Sequence, residues 1–173
     1  MRSPIAERCS TMGEGFGRIA PTSRTSRPFG ESGIGTRTSA RPPAVTERLL
    51  LDTDVAVEYL RDRPDAVAWL DAQEGKLLLS VITVAELFAG LRGEEERRRM
   101  ENFLLAFELA PVTPEIARAG GGYRREYRPS HGTGLADALI AATADARDAV
   151  LVTFNAKHFP MLEEVRAPYP RKG

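Results

Sequence analysis

Leu49-Leu50-Leu51-Asp52-Thr53-Asp54-Val55-Ala56-Val57-Glu58-Tyr59-Leu60 is the stretch on which the fold turns. Its first three residues are apolar in succession between Arg48 and Asp52, a run too short for a helix. Apolar residues on both sides of the pleat mark a strand buried on both faces. Val55, Ala56, Tyr59 and Leu60 then recur at helical spacing. A strand therefore passes into a helix, with Asp52 at the junction.

The same alternation continues along the chain. Pro64 opens a helix containing Val67, Trp69 and Leu70, and Gly75 closes it. Leu77 to Leu79 reads as a second strand and Ile82 to Leu91 as the next helix. Glu94-Glu95-Glu96 followed by Arg97-Arg98-Arg99 supplies ion pairs at i,i+3 and i,i+4 on a helix reaching about Phe107. Leu109 to Val112 is a third strand, and Pro114 starts a helix that runs into Arg124–Arg128. A loop at 129–134 precedes a helix from Leu135 to Ala146. Val150 to Val152 is a fourth strand, and a weak fifth lies near Val165. Strands alternating with helices predict an α/β sandwich around a mostly parallel sheet of four to five strands.

Composition narrows the function classes. With 24 basic and 24 acidic residues in 173, no overall charge advertises a nucleic-acid or membrane partner. The single cysteine, Cys9, excludes an internal disulfide framework and a multi-cysteine zinc site. No apolar run approaches the roughly 20 residues that span a bilayer, so the expectation is a soluble, cytoplasmic protein. The averages hide a boundary near residue 45. Residues 1–44 hold seven Arg against three Glu, are rich in Gly, Pro, Ser and Thr, and lack an apolar period. They read as a disordered basic tail, serving as a nucleic-acid arm, a targeting segment or a non-native start. Residues 45–173 read as one folded domain.

Ligands of such sheets bind beyond the carboxyl ends of the strands, where this sequence places its isolated acids. Asp52, Thr53 and Asp54 follow the first strand directly, although one such residue suffices to cap a helix. Asp137 is the only charge in Leu135-Ala136-Asp137-Ala138-Leu139-Ile140-Ala141-Ala142-Thr143-Ala144. An ionised carboxylate in so apolar a helix is costly unless paired or metal-bound, or placed in the first turn. Glu86 is the only charge between Val81 and Leu91, beside an apolar stripe or facing solvent. Asn155 lies just beyond the fourth strand, after Thr153 and Phe154, where a turn residue is also expected.

Three carboxylates and an amide offer hard oxygen ligands, which suit Mg²⁺ or its substitute Mn²⁺. One frequent use of such a cluster is phosphodiester hydrolysis, with divalent ions activating water and stabilising the leaving oxygen. The charge count predicts one tightly held ion and a second arriving with substrate. Arg124, Arg125 and Arg128, with His131, form a candidate surface for the phosphates, or simply a solvated helix end. His158 reads as packing or hydrogen bonding. Ser80 and Thr83 offer hydroxyls to metal-bound water or to backbone.

Four segments, Leu49–Leu60, Ser80–Leu91, Gly134–Ala144 and Leu151–Phe159, in this order within about Arg48 to Arg166, resemble the PIN-domain ribonucleases, specifically the VapC-type toxins of toxin–antitoxin pairs. The resemblance implies a three-layer α/β/α sandwich, Mg²⁺-dependent endoribonuclease activity, a homodimer, and an antitoxin whose tail occupies the active-site groove. It makes Asp52, Glu86 and Asp137 catalytic metal ligands, with Asn155 a weaker one and Thr53, Asp54 and Thr153 in support. Asp54 and Asn155 depart from the family's usual residues, which puts a second metal in question. A rival reading takes Leu49 to Val57 as the opening motif of haloacid-dehalogenase-like phosphatases, with Asp52 as nucleophile. It leaves Asp137 unexplained. A third is a degenerate nuclease fold that binds RNA without cutting it.

Overall fold

The computed structural model describes residues 47–170; the reading of residues 1–44 as a disordered tail lies outside them. Strands and helices alternate as β1 Arg48–Leu51, α1 Thr53–Leu60, α2 Pro64–Asp71, β2 Lys76–Ser80, α3 Val81–Ala89 and α4 Glu94–Leu104. They continue as β3 Glu108–Ala110, α5 Pro114–His131, α6 Leu135–Ala146, β4 Val150–Val152 and β5 Val165–Arg166. A single 3₁₀ turn, Ala156–His158, follows β4.

The five strands form one parallel sheet in the order β3-β2-β1-β4-β5. The leucine runs are explained by this central position. Leu49 and Leu51 of β1 pair in register with Leu77 and Leu79 of β2 and face the α1–α4 side, meeting Val55, Leu70, Leu87 and Phe103. Leu50, Leu78 and Leu151 point the other way and pack on Ile140, Ala141 and Ala144 of α6. Helices thus cover both faces, and β1 and β2 carry leucines on both sides because neither side faces water. The polar residues Arg48, Lys76 and Ser80 fall at the strand ends. No helix among the described residues is long and apolar enough to cross a membrane.

The chain order makes a switch point. From β1 the chain moves outward through β2 to β3, then returns to lay β4 on the other side of β1. The crevice between β1 and β4 opens at their carboxyl ends, the position at which such sheets bind ligands. Asp52 follows β1 there and Thr153 follows β4.

Several boundaries differ from the sequence pattern: β3 spans Glu108–Ala110 instead of Leu109 to Val112, and α3 spans Val81–Ala89 instead of Ile82 to Leu91. The fourth helix stops at Leu104 and not Phe107, because the chain turns so that Phe107 stacks on Phe103 at 4.6 Å between ring centroids. α2 ends at Asp71, and Gly75 serves the sheet edge instead. A Cβ there would stand 2.6 Å from the Glu47 carbonyl oxygen, which accepts from the Lys76 amide at the start of β2. Finally, α5 does not stop before Pro129; it continues to His131 and ends on Gly132, whose φ of 67° is left-handed.

The run Gly120-Gly121-Gly122 lies inside α5 and not in a phosphate loop. Only Gly120 is required by packing, since a Cβ there would meet Leu139 Cδ2 at 2.8 Å and the Ala138 carbonyl at 3.2 Å. Gly121 and Gly122 meet nothing within 4 Å. We therefore expect Gly122→Ala to stabilise the protein by about 0.5–1 kcal/mol, whereas Gly120→Ala destabilises it by about 1–3 kcal/mol. Urea unfolding of both variants checks this, and equal effects would contradict the packing assignment.

Candidate active site

Asp52 leaves β1 in extended conformation and caps α1, its Oδ1 accepting from the Thr53 amide at 2.7 Å. Its other oxygen accepts from the Thr153 hydroxyl at 2.7 Å, across the β1–β4 crevice. The carboxyl is only 7% exposed. Burial pushes its pKa up to about 6, and the neighbouring charges of Asp54 and Asp137 add to the rise, against the two hydrogen bonds. The capping role and a site role thus coincide. A residue needed only as a cap would gain nothing from a buried position among other acids.

Asp54 holds the segment after β4. Its carboxylate accepts from the Phe154 amide at 3.1 Å and from Asn155 Nδ2 at 2.9 Å. Thr153 Oγ1 also accepts from the Asn155 amide at 3.0 Å, so the end of β4 is bound to the start of α1 at several points. Asn155 thus donates through Nδ2 to Asp54, which leaves its amide oxygen as the atom that could face an ion. We expect Asn155→Asp to cost about 1 kcal/mol or more of metal-free stability, because a donor becomes a second acceptor against Asp54. Unfolding in a chelator measures this; an unchanged midpoint would show that the amide contact contributes nothing.

Asp137 is the third residue of α6, and its Oδ2 accepts from the Gly134 amide at 3.1 Å. The first-turn explanation for this acid holds, and its charge also reaches Asp52, whose pKa it helps to raise. Glu86, on α3, is exposed and accepts a hydrogen bond from the Thr53 hydroxyl. Thr53 and Thr153 thus each donate a hydroxyl hydrogen bond to one carboxylate. Ser80 and Thr83 do not join the site. Both are fully buried; Ser80 caps α3 through the Ile82 amide at 3.2 Å, and Thr83 Oγ1 has no hydrogen-bond partner. His158 places Nδ1 3.9 Å from Asp137 Oδ2.

One link carries no mark in the sequence. Thr133, 1% exposed, donates to the His158 carbonyl oxygen at 3.2 Å and ties the loop before α6 to the turn after β4. A threonine between two glycines gives no hint of a partner 25 residues away.

The donor set fits a hard divalent cation without being a closed cage. Among the described residues no group of three or more His, Cys, Asp or Glu side chains converges as a ready-made ligand set. That arrangement suits Mg²⁺, which keeps several waters and takes one or two carboxylates together with substrate phosphate. The raised Asp52 carboxyl supports the same fit, since a cation would offset both its burial and the neighbouring charges of Asp54 and Asp137.

The sequence profile of the PIN domain matches residues 49–164, which include every carboxylate of this site. The chain belongs to the PIN-domain family. Among its curated relatives it is 43% identical over 128 residues to ribonuclease VapC10 of Mycobacterium tuberculosis, covering 72% of this chain and 96% of that protein. It is likewise 43% identical over 124 residues to ribonuclease VapC19 of the same organism, covering 69% and 98%. Among solved structures, a toxin–antitoxin complex from Klebsiella pneumoniae matches with a TM-score of 0.61 at 28% identity, covering 70% of this chain and 98% of the matched one. The PIN domain of this protein is thus of the VapC group, and the parallel five-stranded sheet between two helical layers is the PIN architecture. Family membership displaces the phosphatase reading of Leu49 to Val57, and β4 of this PIN domain ends in Thr153-Phe154-Asn155 without the paired acids that reading requires.

Proposed function

We propose that this protein is a divalent-metal-dependent endoribonuclease, the toxin of a toxin–antitoxin pair. The observation that carries the reading is the buried Asp52 carboxyl at the sheet's switch point, bound to Thr153 across the crevice and close enough to Asp54 and Asp137 to feel both charges. The ribonuclease names of relatives at 43% identity support RNA as substrate, and the matched toxin–antitoxin complex supports an antitoxin partner. The homodimer implied by the resemblance belongs to the same proposal.

In this reading Asp52 and Asp137 hold Mg²⁺, or Mn²⁺ in its place, and Glu86 completes the acidic rim from α3. The bound ion supplies activation of water and charge stabilisation at the phosphodiester. Thr153 keeps Asp52 turned toward the crevice, and Thr53 fixes Glu86, so the carboxylates are oriented before substrate arrives. Asp54 anchors the β4 loop, its Oδ2 accepting from the Phe154 amide and from Asn155 Nδ2. Burial of Asp52 keeps water away from its inner side and strengthens its interaction with a cation.

The test is cleavage of total cellular RNA by the purified full chain with Mg²⁺, with a chelator, and beside a generic phosphate monoester. Metal-dependent cutting of RNA, with the monoester intact, is the expected result. Phosphate release without RNA cleavage would overturn the proposal, and metal retention without cleavage would favour the binding-only form of the fold.

A further inference from the structure

Gly121, Arg124, Arg125 and Arg128 stand at i, i+3, i+4 and i+7 of α5, so they share one helix face. With Pro129 and Leu135 they line a hollow of about 360 Å³. Leu135 is the first residue of α6, two before Asp137, and is 51% exposed. The hollow therefore borders the helix that carries an acid of the site. Its depth depends on Gly121, whose missing side chain leaves open space that a Cβ would begin to fill.

The charge in this hollow is uncompensated. Six other arginines, Arg63, Arg97, Arg99, Arg118, Arg147 and Arg166, are held in ion pairs. Those that are not, such as Arg61, Arg92 and Arg98, do not share one helix face as Arg124, Arg125 and Arg128 do. These three form no ion pair among the described residues. The one acid in that stretch, Glu126, interacts with Tyr127. Arg124 also has a buried Nε with no hydrogen-bond partner. It has lost water on that group without gaining an acceptor, a cost that an anion on its other N–H groups offsets. Three planar, unpaired guanidiniums around an open hollow match a phosphodiester oxygen set, and Leu135 offers an apolar wall for a sugar.

We infer that this hollow is a subsite for the RNA backbone, gripping phosphates next to the one cut at the Asp52–Asp137 crevice. The inference rests on the ribonuclease reading. It assigns the three arginines to positioning along the strand, not to base recognition, since phosphate contacts carry no sequence information.

The experiment is fluorescence anisotropy with a labelled single-stranded oligouridine, titrated at several NaCl concentrations against the full chain bearing Asp137→Asn to prevent cutting. Each of Arg124→Gln, Arg125→Gln and Arg128→Gln should weaken binding and reduce the slope of log affinity against log salt by about 0.7. The triple variant should reduce it by about 2, whereas Arg98→Gln, an exposed arginine of α4, should leave it unchanged. Gly121→Leu removes no charge and should weaken binding by filling the hollow. Slopes unaffected by the triple variant, or lowered equally by Arg98→Gln, would overturn the subsite. So would a hollow whose arginines matter only for binding an acidic partner protein. If the subsite fails while the wild type still cuts RNA in a metal-dependent way, the ribonuclease reading stands. If the wild type neither binds nor cuts RNA, both fall.

Discussion

Asp137→Asn is expected to cut RNA at least about 100-fold more slowly than the wild type while folding normally. The magnitude follows because even groups that only support a metal ligand contribute about 10- to 100-fold, and Asp137 is assigned as a ligand itself. The fold survives because the capping contact needs only an acceptor for the Gly134 amide at 3.1 Å, and an asparagine oxygen supplies one. Removal of the charge is thus separated from removal of the cap. The assay compares cleavage at saturating Mg²⁺ with circular dichroism and Tm of the same preparations. Activity equal to the wild type would take Asp137 out of the site; loss of activity accompanied by a lower Tm would mean that the cap had been lost as well.

Asp52→Asn should lose activity and gain stability. In the metal-free protein Asp52 is buried with its pKa raised from 3.8 to about 6. Between those values the folded state holds a proton that the unfolded state has released, so stability falls as pH rises from about 4 to 6. Above pH 6 the full cost of burying the ionised carboxylate is present, on the order of 3 kcal/mol. Asparagine removes that cost and keeps the geometry. Its oxygen accepts from Thr53, and its amide donates to the Thr153 hydroxyl, which then acts as acceptor. At pH 7, in a chelator, Asp52→Asn should therefore melt roughly 5–10 °C above the wild type. The difference should shrink toward pH 4. A cation that binds only the folded state should raise the wild-type Tm and leave the variant where it was. A variant that melts lower than the wild type, or a wild-type stability that rises between pH 4 and 6, would refute the assignment of Asp52 as a strained acid.

The two experiments address different halves of one trade. On the proposed metal-dependent reading, the site keeps acids together that repel one another, and the folded chain carries that cost in the absence of a cation. Asp52 shows that cost most clearly because it alone is buried deeply enough to lose its water. Glu86, exposed on α3, does not.

What was legible in the sequence follows from burial. The bounds of β1, β4 and α6 are as the residue pattern predicts because these elements are enclosed by others and their apolar runs stop where solvent begins. Asp52 and Asp137 stood out for the same reason, as lone charges at the edge of such runs. The departures fall where local rules compete. Pro129 forbids one hydrogen bond to the Arg125 carbonyl, yet α5 continues because Gly132 closes it with a bond to the Arg128 carbonyl at 3.0 Å. The helix that the ion pairs of 94–99 initiate ends early because Phe107 finds a better place against Phe103.

The sequence by itself determined the layer order and the identity of the acids, since period and isolated charge are properties of neighbours along the chain. Only the tertiary structure decided how those acids are used. Thr153 orients Asp52 from 101 residues away, and Asn155 donates to Asp54 across the same crevice. Gly121, Leu135 and three arginines enclose one hollow. Each of these depends on where a returning strand or a second helix comes to rest, and no spacing within a segment encodes that position.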